Sequence, residues 1–147
     1  MADRIVLLVG KGELYRALAR LAALHLDYER AIGLLEQAVA ITPNNAAAHA
    51  ALGRADVENG RETEGYAELV IALLLDPDAV DTLTDLGRLH VTAGRSARAV
   101  EALARAVGIA PTNGPAVHAH AEALIRAGSS DEGKRYLDGR TAPDTRD

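Results

Sequence analysis

The stretch LGRADVENGR at residues 52–61 returns in altered form as LGRLHVTAGR at residues 86–95. Both copies begin with Leu-Gly-Arg and end with Gly-Arg. Further columns of residues keep the interval between the two copies: Pro43, Pro77 and Pro111; Leu35, Leu69, Leu103 and Leu137; and Ala31, Gly65, Ala99 and Gly133. Agreement of several columns over three or four copies indicates an internal repeat with a period of about 34 residues.

Each copy of the repeat predicts two helices. In the second copy, NNAAAHAALGRADVENG (44–60) begins with an asparagine that can cap a helix and ends with Asn-Gly, which stops one. RETEGYAELVIALLLDP (61–77) follows as a second helix and closes at Pro77, because proline cannot continue a helix. Small residues let two antiparallel helices approach closely, and leucine fills the space beside them. Such hairpins bury their apolar faces by stacking on one another into a solenoid.

Composition agrees with a helical repeat and excludes several classes of protein. A chain of 147 residues is the length of one domain, and 48% hydrophobic residues are enough for a core. Phe and Trp are absent, so that core is expected to consist of closely packed Ala, Leu and Val. The net charge of −5 provides no overall basic field for nucleic acid. The absence of cysteine excludes disulfides and thiolate metal sites.

The start of the chain does not have the pattern of a targeting segment. Its apolar run at residues 5–9 is shorter than the core of a signal peptide, about 7–15 residues, or a membrane span, about 20 residues. The longer apolar stretches are interrupted by charges at helical spacing. We therefore expect a soluble, cytoplasmic protein that binds neither a membrane nor nucleic acid.

The segment YRALARLAALHLDYERAIGLLEQAVAITPNN (15–45), with its small, large and small residues followed by proline, resembles the tetratricopeptide repeat. Residues 46–79 and 80–113 match equally well, and residues 114–147 match in part. The resemblance implies an all-α fold, a right-handed superhelical solenoid of antiparallel helix pairs with about four repeats. The predicted divisions are an N-terminal segment or capping helix (1–11), a repeat domain (12–138) with copies at 12–45, 46–79, 80–113 and 114–138, and a polar tail (139–147).

The resemblance also implies a binding surface. Arrays of this family curve, and their first helices line a concave groove that holds an extended segment or a helix of a partner protein. The first-helix face turned away from the small-residue contact carries Arg20, Arg54 and Arg88, which again recur at the interval of the repeat. The predicted partner-binding residues are Arg16, Arg20, Arg54, Val57, Asp81, Thr84, Arg88, Val91, His118 and Glu122.

The arginine column predicts an anionic partner. First helices pack about 8–10 Å apart, and an extended peptide rises about 3.3 Å per residue, so every third peptide residue would meet the next arginine. A planar guanidinium grips a carboxylate or phosphate through two hydrogen bonds. In the alternative interpretation, Glu58 neutralises Arg54, while Asp81 and Asp85 neutralise Arg88, through pairs on the helix surface.

No pattern of catalytic or metal-binding residues is evident. The Gly-Lys-Gly at residues 10–12 lacks the spacing of a phosphate-binding loop and is expected to form a turn before the first helix. His118 and His120 are two residues apart, so on a helix they point in different directions and cannot bind one metal ion together. His49 and His90 occupy columns between helices, where we expect packed core residues. We expect no enzyme activity, no cofactor and no metal.

Two kinds of function agree with these observations. The first is an adaptor that binds an acidic or phosphorylated segment of a partner protein in the groove. The second is a structural scaffold that self-associates through the ends of the solenoid, or a recruiting domain of a larger complex. The sequence leaves open the identity of the partner, the oligomeric state and whether the chain belongs to a longer array of repeats.

Overall fold

The computed structural model describes residues 2–138, which form eight α-helices and no strand. The helices are α1 (Ala2–Leu24), α2 (Tyr28–Ile41), α3 (Ala46–Glu58), α4 (Glu62–Leu75), α5 (Val80–Thr92), α6 (Ser96–Ile109), α7 (Gly114–Arg126) and α8 (Ser130–Leu137). The predicted all-α repeat of paired helices is confirmed for the described residues. The polar tail predicted at residues 139–147 lies outside them.

Residues that recur with the repeat determine where several of the helices begin and end. Asn45 and Asn113 cap α3 and α7, and each side chain accepts a hydrogen bond of 3.0 Å from the backbone N–H three residues later. Between the helices of a pair, Gly60, Gly94 and Gly128 have φ of 80°, 71° and 94°. This left-handed conformation is easily adopted only by glycine, which explains why it recurs at the turn.

The N-terminal helix differs from the sequence prediction. α1 runs without a break from Ala2 to Leu24, so the turn expected at residues 10–12 is wrong and the boundary placed at residue 12 falls within the helix. Gly10 and Gly12 are both helical, and Gly12 lies where α1 packs closely against the end of α2. A Cβ on Gly12 would lie 3.2 Å from Oγ1 of Thr42 at the end of α2.

The chain divides into two compact units, residues 1–77 and 78–147, which we call the N-terminal unit and the C-terminal unit. The N-terminal unit contains α1 to α4. Its core is built mainly from small residues and branched aliphatic side chains of the first three helices: Ala19, Ala22, Ala31, Ile32, Leu35, Leu52 and Ala55. α3 and α4 approach through two glycines, since a Cβ on Gly53 would lie 2.9 Å from the carbonyl oxygen of Gly65.

The C-terminal unit contains α5 to α8 and is built in the same way. Its core joins Val91 of α5 to two residues each of α6 and α7, namely Ala99, Leu103, Ala119 and Ala123. Gly87 lies directly against the fully buried Leu103. The fourth copy of the repeat retains this contact, because a Cβ on Gly133 would lie 2.7 Å from the carbonyl oxygen of Ala121.

Candidate partner-binding site

Two of the predicted arginines lie on the first helices of the N-terminal unit. Arg20 of α1 and Arg54 of α3 are exposed, while their chain neighbours Ala19 and Ala55 belong to one core cluster. The core therefore fixes the rotation of both helices and turns the two guanidinium groups outward. Among the side chains that the structure describes, none forms a hydrogen bond or ion pair with Arg20, whereas Arg54 has a partner.

Arg16 is half-buried on α1 and already holds a carboxylate. Its Nη1 lies 2.7 Å from Oε1 of Glu13 and 2.9 Å from Oε2, so both carboxylate oxygens accept from one nitrogen. Glu13 also accepts a bond of 3.4 Å from the Asn45 side chain. A ligand carboxylate at Arg16 would have to displace Glu13, which makes Arg16 a weaker candidate than Arg20.

The C-terminal unit carries the other candidates on α5 and α7. Arg88 is exposed between the buried residues Gly87 and Leu89, in the same local setting as Arg54. Asp81 and His118 are exposed as well. Glu122 is engaged within α7, where its Oε1 accepts a bond of 3.1 Å from Nε of Arg126 and lies 3.0 Å from Nη2 of the same guanidinium.

Three of the predicted contact residues are buried or half-buried. Val91 is 6% exposed and belongs to the core of the C-terminal unit, so little of its side chain is accessible to a partner. Thr84 is buried and donates its hydroxyl to the carbonyl of Val80, 2.8 Å away. Val57 is half-buried against α4, where a Cβ on Gly65 would lie 2.6 Å from its Cγ2. Sequence spacing places residues on a helix face but does not say which neighbouring helix covers that face.

Two histidines expected in the core are buried. His49 and His90 are 6% and 4% exposed. His49 links three segments of the N-terminal unit, because its Nδ1 lies 2.6 Å from Oε2 of Glu68 on α4 and its Nε2 lies 2.8 Å from the carbonyl oxygen of Pro43. These contacts satisfy the ring within the fold, so His49 is a structural residue.

Two further polar side chains are buried on first helices and were not predicted. Burial raises the pKa of the Asp56 carboxyl, and the Arg61 guanidinium, whose Nε lies 3.3 Å from Oδ1, partly opposes that shift. Burial lowers the pKa of His120, which is 4% exposed and packs edge-on against Tyr136 with 4.7 Å between ring centroids. The Glu132 carboxylate partly opposes this second shift.

An exposed apolar surface on α1 was also not predicted from the sequence. Leu7, Leu14, Leu21 and Leu24 are 65%, 58%, 55% and 73% exposed, although leucine is usually among the most buried residues. Their spacing along the helix is the sequence signal that identifies them. A contiguous exposed apolar surface is characteristic of interaction sites.

Comparison with known proteins agrees with this architecture. Two family models described as tetratricopeptide repeat match residues 25–83 and 80–113. The chain belongs to the tetratricopeptide repeat family. A search of curated proteins finds no significant match.

Solved structures show the same fold. The crystal structure of MamA protein has a TM-score of 0.77 at 23% identity, covering 93% of this chain and 72% of MamA. The Arabidopsis OM64 TPR domain has a TM-score of 0.76 at 17% identity, covering 80% of this chain and 98% of that domain. PilF of Pseudomonas aeruginosa has a TM-score of 0.82 at 20% identity, covering 88% of this chain and 60% of PilF.

Repeats of this family are in general non-catalytic modules that bind other proteins, and the chain is a protein-interaction module in this general sense. Within residues 2–138, no cluster of three or more His, Asp or Glu residues is arranged to hold a metal ion. Among the helices described, none has both the length and the apolar character needed to cross a bilayer.

Proposed function

We propose that this protein is a cytoplasmic, non-catalytic adaptor that binds an acidic or phosphorylated segment of a partner protein in a concave groove formed by its first helices. The observation that carries this proposal is the recurrence of one exposed arginine on successive first helices. Arg20, Arg54 and Arg88 occupy the same position in three copies of the repeat, and each is exposed beside buried residues of its helix.

The chemistry of the arginine surface favours an anionic ligand. A guanidinium group offers a planar set of donors that matches a carboxylate or a phosphate. Among the described residues, Arg20 and Arg88 form no ion pair, so an incoming anion has no internal carboxylate to displace at these two positions. His118 extends the set on α7, while the exposed Asp81 on α5 would repel acidic residues of a ligand there.

A charge-matched pair of variants tests the proposal. The first variant, Arg20→Ala/Arg54→Ala/Arg88→Ala, removes the three first-helix arginines. The control, Arg30→Ala/Arg98→Ala/Arg105→Ala, removes three exposed arginines of second helices and changes the net charge equally. Wild type and both variants are checked for helicity by circular dichroism and then used to capture partners from native lysate at increasing salt. Lysate treated with phosphatase separates phosphorylated from acidic segments.

The proposal predicts partners that the wild type and the control capture, that the first-helix variant loses, and that salt releases, since exposed charges are screened. Equal capture by both variants would contradict it. Loss of the partners after phosphatase treatment would assign the ligand charge to phosphate, and retention would assign it to Asp or Glu.

The exposed leucines of α1 favour a second candidate function. Here the protein is an assembly scaffold that self-associates through an end of its repeat array, or the recruiting domain of a larger complex. This candidate differs from the first in its surface, because the leucines do not belong to the arginine column. A mass that rises with concentration in sedimentation experiments would support it, and a monomer at all concentrations would not.

A further inference from the structure

The exposed leucines of α1 belong to a regular apolar line, which we call the α1 seam. It comprises six positions spaced alternately three and four residues apart: Leu7, Gly10, Leu14, Ala17, Leu21 and Leu24. All six are exposed. Apolar residues at this spacing form the contact line of paired helices, and the seam itself contains no charged residue.

The seam lies on the side of α1 that faces away from the rest of the N-terminal unit. Among the α1 residues whose burial the structure describes, the buried ones are Gly12, Ala19 and Ala22. The four leucines of the seam lie on the opposite side of the helix and face solvent, where leucine is uncommon.

We propose that the seam pairs with the seam of a second copy of this chain, and that the two α1 helices run antiparallel. This proposal rests on the second candidate function and adds the surface, the partner and the register. The argument is that the seam is complementary to itself. In an antiparallel pair centred between residues 15 and 16, Leu14 packs on Ala17 of the other copy and Leu21 packs on Gly10.

In this register each of these leucines meets a small residue, so a large side chain fills the space that a small one leaves. Leu7 and Leu24 then pair at both ends of the contact. A twofold axis repeats every contact in reverse, as an interface between identical surfaces requires. A parallel pair would instead align Leu14 with Leu14 and Gly10 with Gly10, leaving gaps at the glycines.

The charges that flank the seam agree with the antiparallel register. Glu13 and Arg20 lie on the same side of the seam, one heptad apart. In the antiparallel pair, Glu13 of one copy, which also binds Arg16 of its own helix, lies beside Arg20 of the other, and the twofold axis generates this contact twice. Both side chains are exposed, with 54% exposure for the Glu13 side chain. Opposite charges across the interface favour this register.

The size of the seam indicates a reversible dimer. From Leu7 to Leu24 it is about 27 Å long, at 1.5 Å per residue. A single helix pair of this length falls among the small interfaces, which bury less than about 1,200 Å² in total and mostly form transient complexes. We therefore expect a dimer that dissociates on dilution.

Sedimentation velocity over a wide range of protein concentration tests the surface. The full chain is compared with Leu14→Glu/Leu21→Glu, which places four charges in the proposed interface, and with Leu74→Glu, an exposed leucine of α4 in the same unit. Because all three leucines are exposed, the variants are expected to retain wild-type helicity. The proposal predicts a dimer for the wild type and for Leu74→Glu, and at least a tenfold weaker association for the seam variant.

Cross-linking tests the register, because the natural chain has no cysteine. Gly10→Cys and Leu21→Cys are prepared separately, and Gly10 has room for a side chain because nothing lies within 4 Å of an added Cβ. Oxidation of the mixed variants is expected to give a disulfide between the two different chains. Each variant alone should form several-fold less, since a disulfide requires Cα atoms within about 7 Å.

The outcomes separate this proposal from the function on which it rests. A chain that is monomeric at every concentration overturns both self-association and the seam. A dimer that survives Leu14→Glu/Leu21→Glu supports self-association and overturns the seam. Preferred cross-linking of Gly10→Cys to itself overturns the antiparallel register, whereas preferred cross-linking of the mixture supports it.

Discussion

Residue 26 is a leucine in a backbone conformation that three other turns of this protein assign to glycine. Its φ is 58°, and the equivalent positions are Gly60, Gly94 and Gly128. A left-handed conformation costs a residue with a Cβ roughly 1–2 kcal/mol, and the Leu26 side chain is 73% exposed, so little packing compensates for this cost.

We expect Leu26→Gly to raise the free energy of unfolding by about 1 kcal/mol, because glycine adopts this conformation without steric conflict. Urea denaturation measures the change. The control is Leu74→Gly at an exposed leucine in the last turn of α4, where the same replacement should lower stability by up to about 1 kcal/mol. A loss of stability in Leu26→Gly would mean that the leucine side chain contributes more than its exposure indicates.

Glycines inside the helices fall into two physical classes. A Cβ on Gly65 of α4 would lie 2.6 Å from Val57 and 2.7 Å from the carbonyl oxygen of Gly53, whereas a Cβ on Gly33 of α2 would meet nothing within 4 Å. We expect Gly65→Ala to lower the free energy of unfolding by about 1–3 kcal/mol through overpacking. Gly33→Ala should raise it by about 0.5–1 kcal/mol. Urea denaturation of both variants checks the prediction, and equal effects would contradict it.

His120 makes stability depend on pH. Since burial lowers its pKa in the folded protein below the ordinary value of 6.5, the unfolded chain binds the proton first as the pH falls. The contribution of His120 to the free energy of unfolding is therefore fully present above pH 6.5 and is lost progressively as the pH falls below that value. Leucine stands at this position in the other three copies, at Leu18, Leu52 and Leu86.

We expect His120→Leu to reduce the fall in the free energy of unfolding between about pH 8 and pH 5, because the group that protonates on unfolding is gone. Urea denaturation at both values of pH measures the effect. His118→Leu, which replaces an exposed histidine of the same helix, should leave the dependence intact. Asp56 titrates in wild type and both variants alike, so its contribution cancels. An unchanged pH dependence in His120→Leu would show that His120 protonates freely in the folded protein.

At the scale of the helix, one of three equivalent N-cap positions lacks a side chain that can cap its helix. Asn45, Ala79 and Asn113 occupy the same position of the repeat at the starts of α3, α5 and α7, and all three have extended backbone. The two asparagines accept a hydrogen bond from their helices, but Ala79 has no side chain able to do so.

We expect Ala79→Asn to raise the free energy of unfolding by about 1 kcal/mol, since its side chain would satisfy a backbone donor in the first turn of α5. Asn113→Ala should remove about the same amount from α7. The two variants belong to one unit and are compared by urea denaturation. No gain in Ala79→Asn, with a loss in Asn113→Ala, would mean that the start of α5 cannot accommodate the asparagine side chain.

The paired helices were predictable because each copy of the repeat carries its own helix-capping and helix-terminating residues. Prolines, turn glycines and capping asparagines recur at fixed intervals and act locally, so the sequence alone indicates where most helices begin and end. The start of α1 was not predictable in this way. Gly10 and Gly12 suggested a turn, yet α1 continues through both, and an added Cβ at Gly12 would lie 3.2 Å from Oγ1 of Thr42, a tertiary contact that no local signal records.

The candidate site was less predictable than the fold. Arg88 and Val91 lie three residues apart on α5, and the repeat spacing assigned both to one surface. The structure buries Val91 against α6 and α7 and leaves Arg88 exposed. Exposure depends on which neighbouring helix covers each part of the surface, and spacing along one helix contains no such information.

At the scale of the whole molecule, two surfaces differ in chemistry and in distribution. The exposed first-helix arginines occur in both units, with Arg20 and Arg54 in one and Arg88 in the other. The α1 seam belongs to the N-terminal unit alone. Because the seam is apolar and the arginine column is charged, high salt should weaken binding at the arginines while leaving the association of seams largely intact.

Self-association through the seam predicts a melting temperature that depends on protein concentration. A partner that binds only the folded chain stabilises it, by about 2.7 kcal/mol when the free partner is at 100 times the dissociation constant. For a chain of this size, 1 kcal/mol shifts the melting temperature by about 3–4 °C. We therefore expect the wild-type melting temperature to rise by several degrees as the concentration increases through the range of dimer formation.

Circular dichroism thermal scans at several concentrations measure this rise, with Leu74→Glu as the control that should retain it. Leu14→Glu/Leu21→Glu should melt at one temperature throughout, because its partner-dependent stabilisation is absent. At the lowest concentration the wild type and the seam variant should melt within a few degrees of each other, since the replaced leucines are exposed in the single chain. A wild-type melting temperature independent of concentration would show that the folded chain gains no stability from a second copy.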